Sequence, residues 1–116
     1  MIFEVIKTHR SNYPNPIILY KGQSVIVGKK YDGPENWHHW IYCYTMDRGL
    51  EGWVPEQIIQ MNDGNGMILE DYTAEELNVD IGERVAGFKE LNGWIWCEKL
   101  HNRHFGWVPK DHLRPE

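Results

Sequence analysis

The chain has no long apolar run, few cysteines, few basic residues and little that reads as helix, and each scarcity removes a class of protein. Nowhere do apolar residues approach the roughly 18 in succession that span a bilayer. Charges at Glu4 and Lys7 break the opening Met1-Ile2-Phe3-Glu4-Val5-Ile6-Lys7, so no secretory signal is read there. The sequence therefore predicts a soluble, cytoplasmic protein without a membrane partner. Two cysteines, Cys43 and Cys97, are too few for the disulfide framework of a small secreted domain, and reduced thiols are expected. Lys and Arg number 12 against 17 Asp and Glu, a net charge of −5. That sign opposes a nucleic-acid reader and a polybasic membrane binder alike.

What is present is enough apolar and aromatic material to fold: 116 residues, 41% hydrophobic and 13% aromatic. Such a length fits one ordinary domain or two very small ones. An internal repeat chooses the second. Trp40-Ile41-Tyr42-Cys43 returns as Trp94-Ile95-Trp96-Cys97, and Gly52-Trp53-Val54-Pro55 returns as Gly106-Trp107-Val108-Pro109, both 54 residues on. Upstream, Ile17-x-Leu19 with Gly22 and Val25 matches Leu77-x-Val79 with Gly82 and Val85 at a spacing of 60, so the second loop of the first copy is six residues longer. The repeat divides the chain into a first barrel over 1–61, a short linker over 62–66 (Asn62-Asp63-Gly64-Asn65-Gly66) and a second barrel over 67–116. A linker this short predicts two copies packed as one unit, which helps because about 60 residues alone bury only about 60% of their unfolded surface.

Within each copy, short segments rich in β-branched and aromatic residues, such as Val25-Ile26-Val27, 40–44 and 94–97, are bounded by Gly, Asn, Asp and Pro and read as strands. Alternation puts Ile41, Cys43, Ile95 and Cys97 toward a core and turns Trp40, Tyr42, Trp94 and Trp96 to the other face. Asp47-Arg48-Gly49 and His101-Asn102-Arg103 are read as tight hairpin turns. Pro55 and Pro109 stop their strands, and a single helical turn and a last short strand follow.

These features together resemble the Src homology 3 family, twice over nearly the whole chain, and in particular small bacterial proteins built of two variant Src homology 3 domains. In the second copy Ile68-Leu69-Glu70-Asp71-Tyr72 resembles the family's Ala-Leu-Tyr-Asp-Tyr opening, Glu75-Glu76-Leu77 its acidic first loop, Gly82-Glu83 its diverging turn and Gly93-Trp94 its ligand-binding Trp. Pro109-Lys110-Asp111-His112-Leu113 stands where the family has Pro-Ser-Asn-Tyr-Val. The resemblance implies an all-β fold of two tandem five-stranded barrels and a peptide groove paved by two tyrosines, the Trp, the Pro and a final Tyr. Those positions read Glu70, Tyr72, Trp94, Pro109 and His112 in the second copy and Lys7, His9, Trp40, Pro55 and Ile58 in the first.

The expected activity is non-catalytic binding of a protein or peptide segment, not of the standard Pro-x-x-Pro type. One groove is placed around Tyr72, Glu75, Trp94, Pro109 and His112, and a second around His9, Tyr13, Trp40 and Pro55. The alternative is a structural or assembly role, in which the same aromatic faces are buried between barrels or in a homodimer. No enzyme is read: the thiols fall on the core face, where they are inert, and no phosphate loop, nucleophile elbow or metal motif is visible. His101 and His104 stand three apart at an exposed turn without a completing ligand set, so no metal or cofactor is expected.

Overall fold

Residues with extended preference alternate with turn formers throughout, and the backbone follows. The structure, a computed structural model, describes residues 1–11, 15–33 and 39–116. Among these, twelve short strands run in chain order: β1 (Ile2–Val5), β2 (Ile18–Leu19), β3 (Ser24–Lys30), β4 (Trp40–Thr45), β5 (Glu51–Pro55), β6 (Ile59–Asn62), β7 (Asn65–Ile68), β8 (Tyr72–Thr73), β9 (Arg84–Leu91), β10 (Trp94–Lys99), β11 (Phe105–Pro109) and β12 (Leu113–Pro115). Single 3-10 turns, Glu56–Ile58 and Lys110–His112, follow the two prolines that end β5 and β11. Among the described residues no helix is long and apolar enough to cross a membrane.

Turn chemistry is where the sequence placed it. Arg48 (φ 57°) and Arg103 (φ 64°) take the left-handed conformation at the two predicted hairpins, with Arg48 N–H bonded to Thr45 O at 2.8 Å and Arg103 N–H to Lys99 O at 3.0 Å. In the first, the Asp47 carboxylate accepts from the Thr45 hydroxyl at 2.6 Å and from Gly49 N–H at 2.8 Å. Those donors hold its pKa below the usual carboxylate value.

The strands make two five-stranded antiparallel sheets, ordered β5-β4-β3-β7-β6 and β11-β10-β9-β1-β12, with β2-β8 as a separate ribbon. Two all-β units result, as the resemblance implied, but they do not follow the repeat boundaries at 61 and 67. A central unit comprises Asn15–Ala74, and a terminal unit joins Met1–Pro14 to Glu75–Glu116. The chain therefore passes from one unit to the other twice, at 14–15 and 74–75.

The division is corrected by the segment read as a linker. Asp63 (φ 50°) and Gly64 (φ 84°) form a two-residue hairpin turn, and β6 pairs directly with β7 from Ile59 opposite Ile68 to Asn62 opposite Asn65. In each sheet the strand that opens a repeat lies beside one that closes a repeat. A turn of two residues leaves β7 no choice but the place next to β6, which the first repeat's own opening strand would otherwise take. That strand, β1, instead lies between β9 and β12 of the second repeat, with Phe3 opposite both Val85 and Pro115.

Each core is consequently made by both repeats. In the terminal unit Val5 packs with Leu77, Val79, Val85, Ile95, Cys97, Val108 and Leu113, and Phe3 closes one side. In the central unit Ile68 is fully buried, as are Ile17, Leu19, Val25, Cys43 and Val54. The alternation read from sequence holds for Ile41, Cys43, Ile95 and Cys97.

Candidate functional site

The exchange of opening strands rearranges the two predicted grooves. Trp94 and Pro109 stand opposite each other on β10 and β11, and His112 follows on the 3-10 turn. The ring that joins them is His9, carried into the terminal unit behind β1. Its centroid lies 5.5 Å from that of Trp94 and 5.5 Å from that of His112, edge-on in both cases. Tyr72, expected in this groove, instead follows β7 into the central unit with Trp40 and Pro55, which pair across β4 and β5. There Tyr72 lies opposite Leu19, and its hydroxyl donates to Trp53 O at 3.2 Å. His9 and Tyr72 have thus changed places relative to the sequence expectation. Tyr13 lies outside the described residues.

Acidic groups surround the terminal groove. Glu76 Oε1 lies 2.7 Å from His9 Nε2, with both side chains mostly buried. Asp111 Oδ1 lies 2.7 Å from His112 Nδ1, and this hydrogen bond leads the effects that draw the Asp111 pKa below its ordinary value. Glu75 is exposed on the segment that crosses β11, where Trp107 N–H bonds Glu75 O at 2.9 Å and Leu77 N–H bonds Trp107 O at 3.1 Å. In the central unit the corresponding side of the groove carries Glu56, held by Lys30 at 3.1 Å and His39 at 3.3 Å. The Lys30 hydrogen bond is the main cause of its lowered pKa.

Trp94 and Trp40 are less open than alternation suggested, each only 7% exposed. For Trp94 the cover includes His9, supplied by the other repeat and therefore invisible to a reading of either repeat alone. Among the described residues, the Trp40 indole Nε1 is the one buried side-chain polar atom without a hydrogen-bond partner. An orphaned buried donor of this kind costs about 1–3 kcal/mol.

Sequence reasoning passed over Glu76 and Asp111 as partners of the groove histidines. It also missed two rows of rings on the sheet faces. In the terminal unit, Phe88, Phe105, Trp96 and Trp107 follow one another at centroid distances of 6.1, 6.1 and 5.4 Å. In the central unit, Tyr31, Trp53, Tyr42 and Tyr44 do so at 5.1, 5.0 and 5.4 Å, with Arg48 over the last ring. The signal was available in the shared strand face of Trp94 and Trp96.

The thiols are inert in this fold. Cys43 and Cys97 are unpaired and fully buried, and desolvation pushes each pKa up to about 12. Iodoacetamide at pH 8 is expected to leave both unmodified in the native protein and to label both in denaturant, as counted by intact mass. Labelling of the native protein at the denatured rate would contradict this burial. Among the described residues no three His, Cys, Asp or Glu side chains are grouped to hold a metal ion.

A family model described as variant SH3 domain matches residues 2–61 and again 68–116. No curated protein and no solved structure matches the chain. The two matched segments are the sequence repeats, and the structure builds from them two five-stranded all-β units. With nearly its whole length matched, the chain belongs to the variant SH3 domain family, whose domains are in general non-catalytic protein-interaction modules.

Proposed function

We propose that the protein binds an extended peptide segment of a partner protein in the terminal-unit groove of His9, Trp94, Pro109 and His112, with Glu75 at its rim. The observation that carries this reading is the assembly of three rings, from segments over 80 residues apart in sequence, beside the family's Trp-Pro pair. Stacked and edge-on rings offer large contact area at low entropic cost. Imidazoles in place of tyrosines, each bonded to a carboxylate, favour a ligand with cationic or donor groups over a bare Pro-x-x-Pro helix. A second groove in the central unit around Tyr72, Trp40 and Pro55 is the less typical site. Buried reduced thiols suit a cytoplasmic setting.

A peptide-display screen on the intact protein, run beside His112→Ala and Trp94→Ala variants checked for folding by circular dichroism, tests the reading. One enriched sequence class is expected, weakened by about 2 kcal/mol, or roughly 30-fold, in Trp94→Ala. His112 is partly exposed and lies outside the core cluster, so it gives a variant that leaves the core untouched. Equal enrichment by all three proteins would remove this groove from the proposal.

The assembly reading keeps one supporting observation, the exposed rings of Phe88 (60%) on β9 and Phe105 (42%) on β11, which meet across β10. It predicts a dimer in sedimentation that Phe88→Ser dissociates, whereas the binding reading predicts the same mass for both.

A further inference from the structure

The repeats have diverged at positions where the exchanged strands meet their hosts. Phe3 of β1 and Gly66 of β7 occupy equivalent places, Phe3 opposite Val85 and Gly66 opposite Val25, which the repeat aligns. Their hosts differ in the complementary sense. In the terminal unit the Phe3 ring covers Gly87: a Cβ built on Gly87 would lie 2.5 Å from Phe3 Cε2 and 3.0 Å from Ile95 Cγ2. In the central unit the position equivalent to Gly87 is Val27, and a Cβ on Gly66 would lie 3.1 Å from Val27 Cγ2 and 2.5 Å from Ile59 Cγ2. A large residue meets a small one in one unit, and a small residue meets a large one in the other. If each repeat closed on its own opening strand, Phe3 would enter a place that rejects even a methyl group, and Gly66 would leave Gly87 uncovered.

Polar pairs repeat the pattern. Glu4 pairs with Arg114, His9 with Glu76 at 2.7 Å and Arg10 with Asp80 at 2.6 Å, and every one of these joins the first repeat to the second. The equivalent partners within the first repeat are Gln60, Pro16 and Tyr20, none of them charged.

We infer that these side chains form a recognition code by which each repeat selects the other's opening strand, so that the partner fitted by each strand-receiving site is the opposite repeat and not its own N-terminal segment. The two-residue turn at Asp63–Gly64 favours the same arrangement, but the code acts without it. Each half contains six strands and has a free choice once the turn is cut.

The test places a protease site in the 63–64 turn of the full chain, cleaves the folded protein, denatures it and refolds the mixture at low concentration. Wild-type halves are expected to return as a 1:1 complex by sedimentation. With Glu4→Cys and Arg114→Cys added, oxidation should join them into one band on a gel without reductant, as only a β1–β12 pairing allows. Phe3→Gly with Gly66→Phe reverses the strand half of the code, and its halves should refold as separate species, the 1:1 complex falling at least tenfold. Adding Val27→Gly and Gly87→Val to that pair restores complementarity and should restore the complex, which separates a recoded interface from a chain that has lost its fold. Wild-type halves that refold apart, or a Phe3→Gly/Gly66→Phe pair that reassociates as well as wild type, would overturn the inference.

Discussion

Gly106→Ala is expected to destabilise the terminal unit by about 3 kcal/mol, lowering its melting temperature by roughly 15 °C. The reason is a close approach of backbone, not a special conformation. A Cβ at Gly106 would stand 2.7 Å from Leu77 N, 2.9 Å from Leu77 Cγ and 3.0 Å from the Glu76 carbonyl carbon. Backbone cannot turn aside as a flexible side chain can, so the segment 75–77 must lift from β11 and strain its two hydrogen bonds to Trp107. Glu76 would move with it and pull on His9, so the same substitution should disturb the proposed groove from behind. Gly93→Ala supplies the control. Its φ of +85° penalises any side chain, yet nothing lies within 4 Å of the added methyl, and about 1 kcal/mol is expected. Thermal unfolding followed by near-ultraviolet circular dichroism ranks the two. If Gly106→Ala is no worse than Gly93→Ala, the 75–77 segment does not lie where the structure has it.

Much of this architecture is local and could be read in advance. The repeat, the strand positions, the two hairpins at Arg48 and Arg103, the proline stops and the core face of Ile41, Cys43, Ile95 and Cys97 depend on short-range propensity and period, which the sequence displays directly. Which sheet a strand joins is a long-range choice between two nearly equivalent hosts. The pattern of β1 suits either repeat, and the two hosts differ in side-chain volume at Gly87 against Val27 and in charge at Arg114 against Gln60. One local signal did exist. Asp63-Gly64 between Ile59-x-Met61 and Met67-Ile68 is hairpin chemistry, and taken as a hairpin instead of a linker it forces β7 beside β6. The groove follows the same logic: Trp94, Pro109 and His112 lie in one unit because one repeat carries all three, whereas His9 and Tyr72 change places because their strands do. The burial of Trp94 was hidden for that reason as well.

Val5→Ala is the sharpest probe of that exchange, because it sits in the first repeat and should loosen the second. Val5 is wholly buried, stands opposite Leu113, and exchanges hydrogen bonds with the diverging turn, its N–H donating to Glu83 O at 2.8 Å and its carbonyl accepting from Gly82 N–H at 2.9 Å. Every buried residue in its cluster lies at Leu77 or beyond. Truncation to alanine removes two methyl groups from a packed core, a cost of about 2 kcal/mol, which raises the open population of the terminal unit roughly 30-fold. Native-state hydrogen exchange reads the consequence by segment: amides of β9, β10 and β12 should exchange about 30-fold faster, and those of β3, β4 and β6 should keep their wild-type rates. Ile68→Ala is its mirror, a second-repeat substitution that should loosen β3 and β6 and spare β9 and β12. Were the repeats to close on themselves, the two patterns would be reversed, since Val5 would then pack against Val25 and Ile59 and Ile68 against Val85 and Leu113.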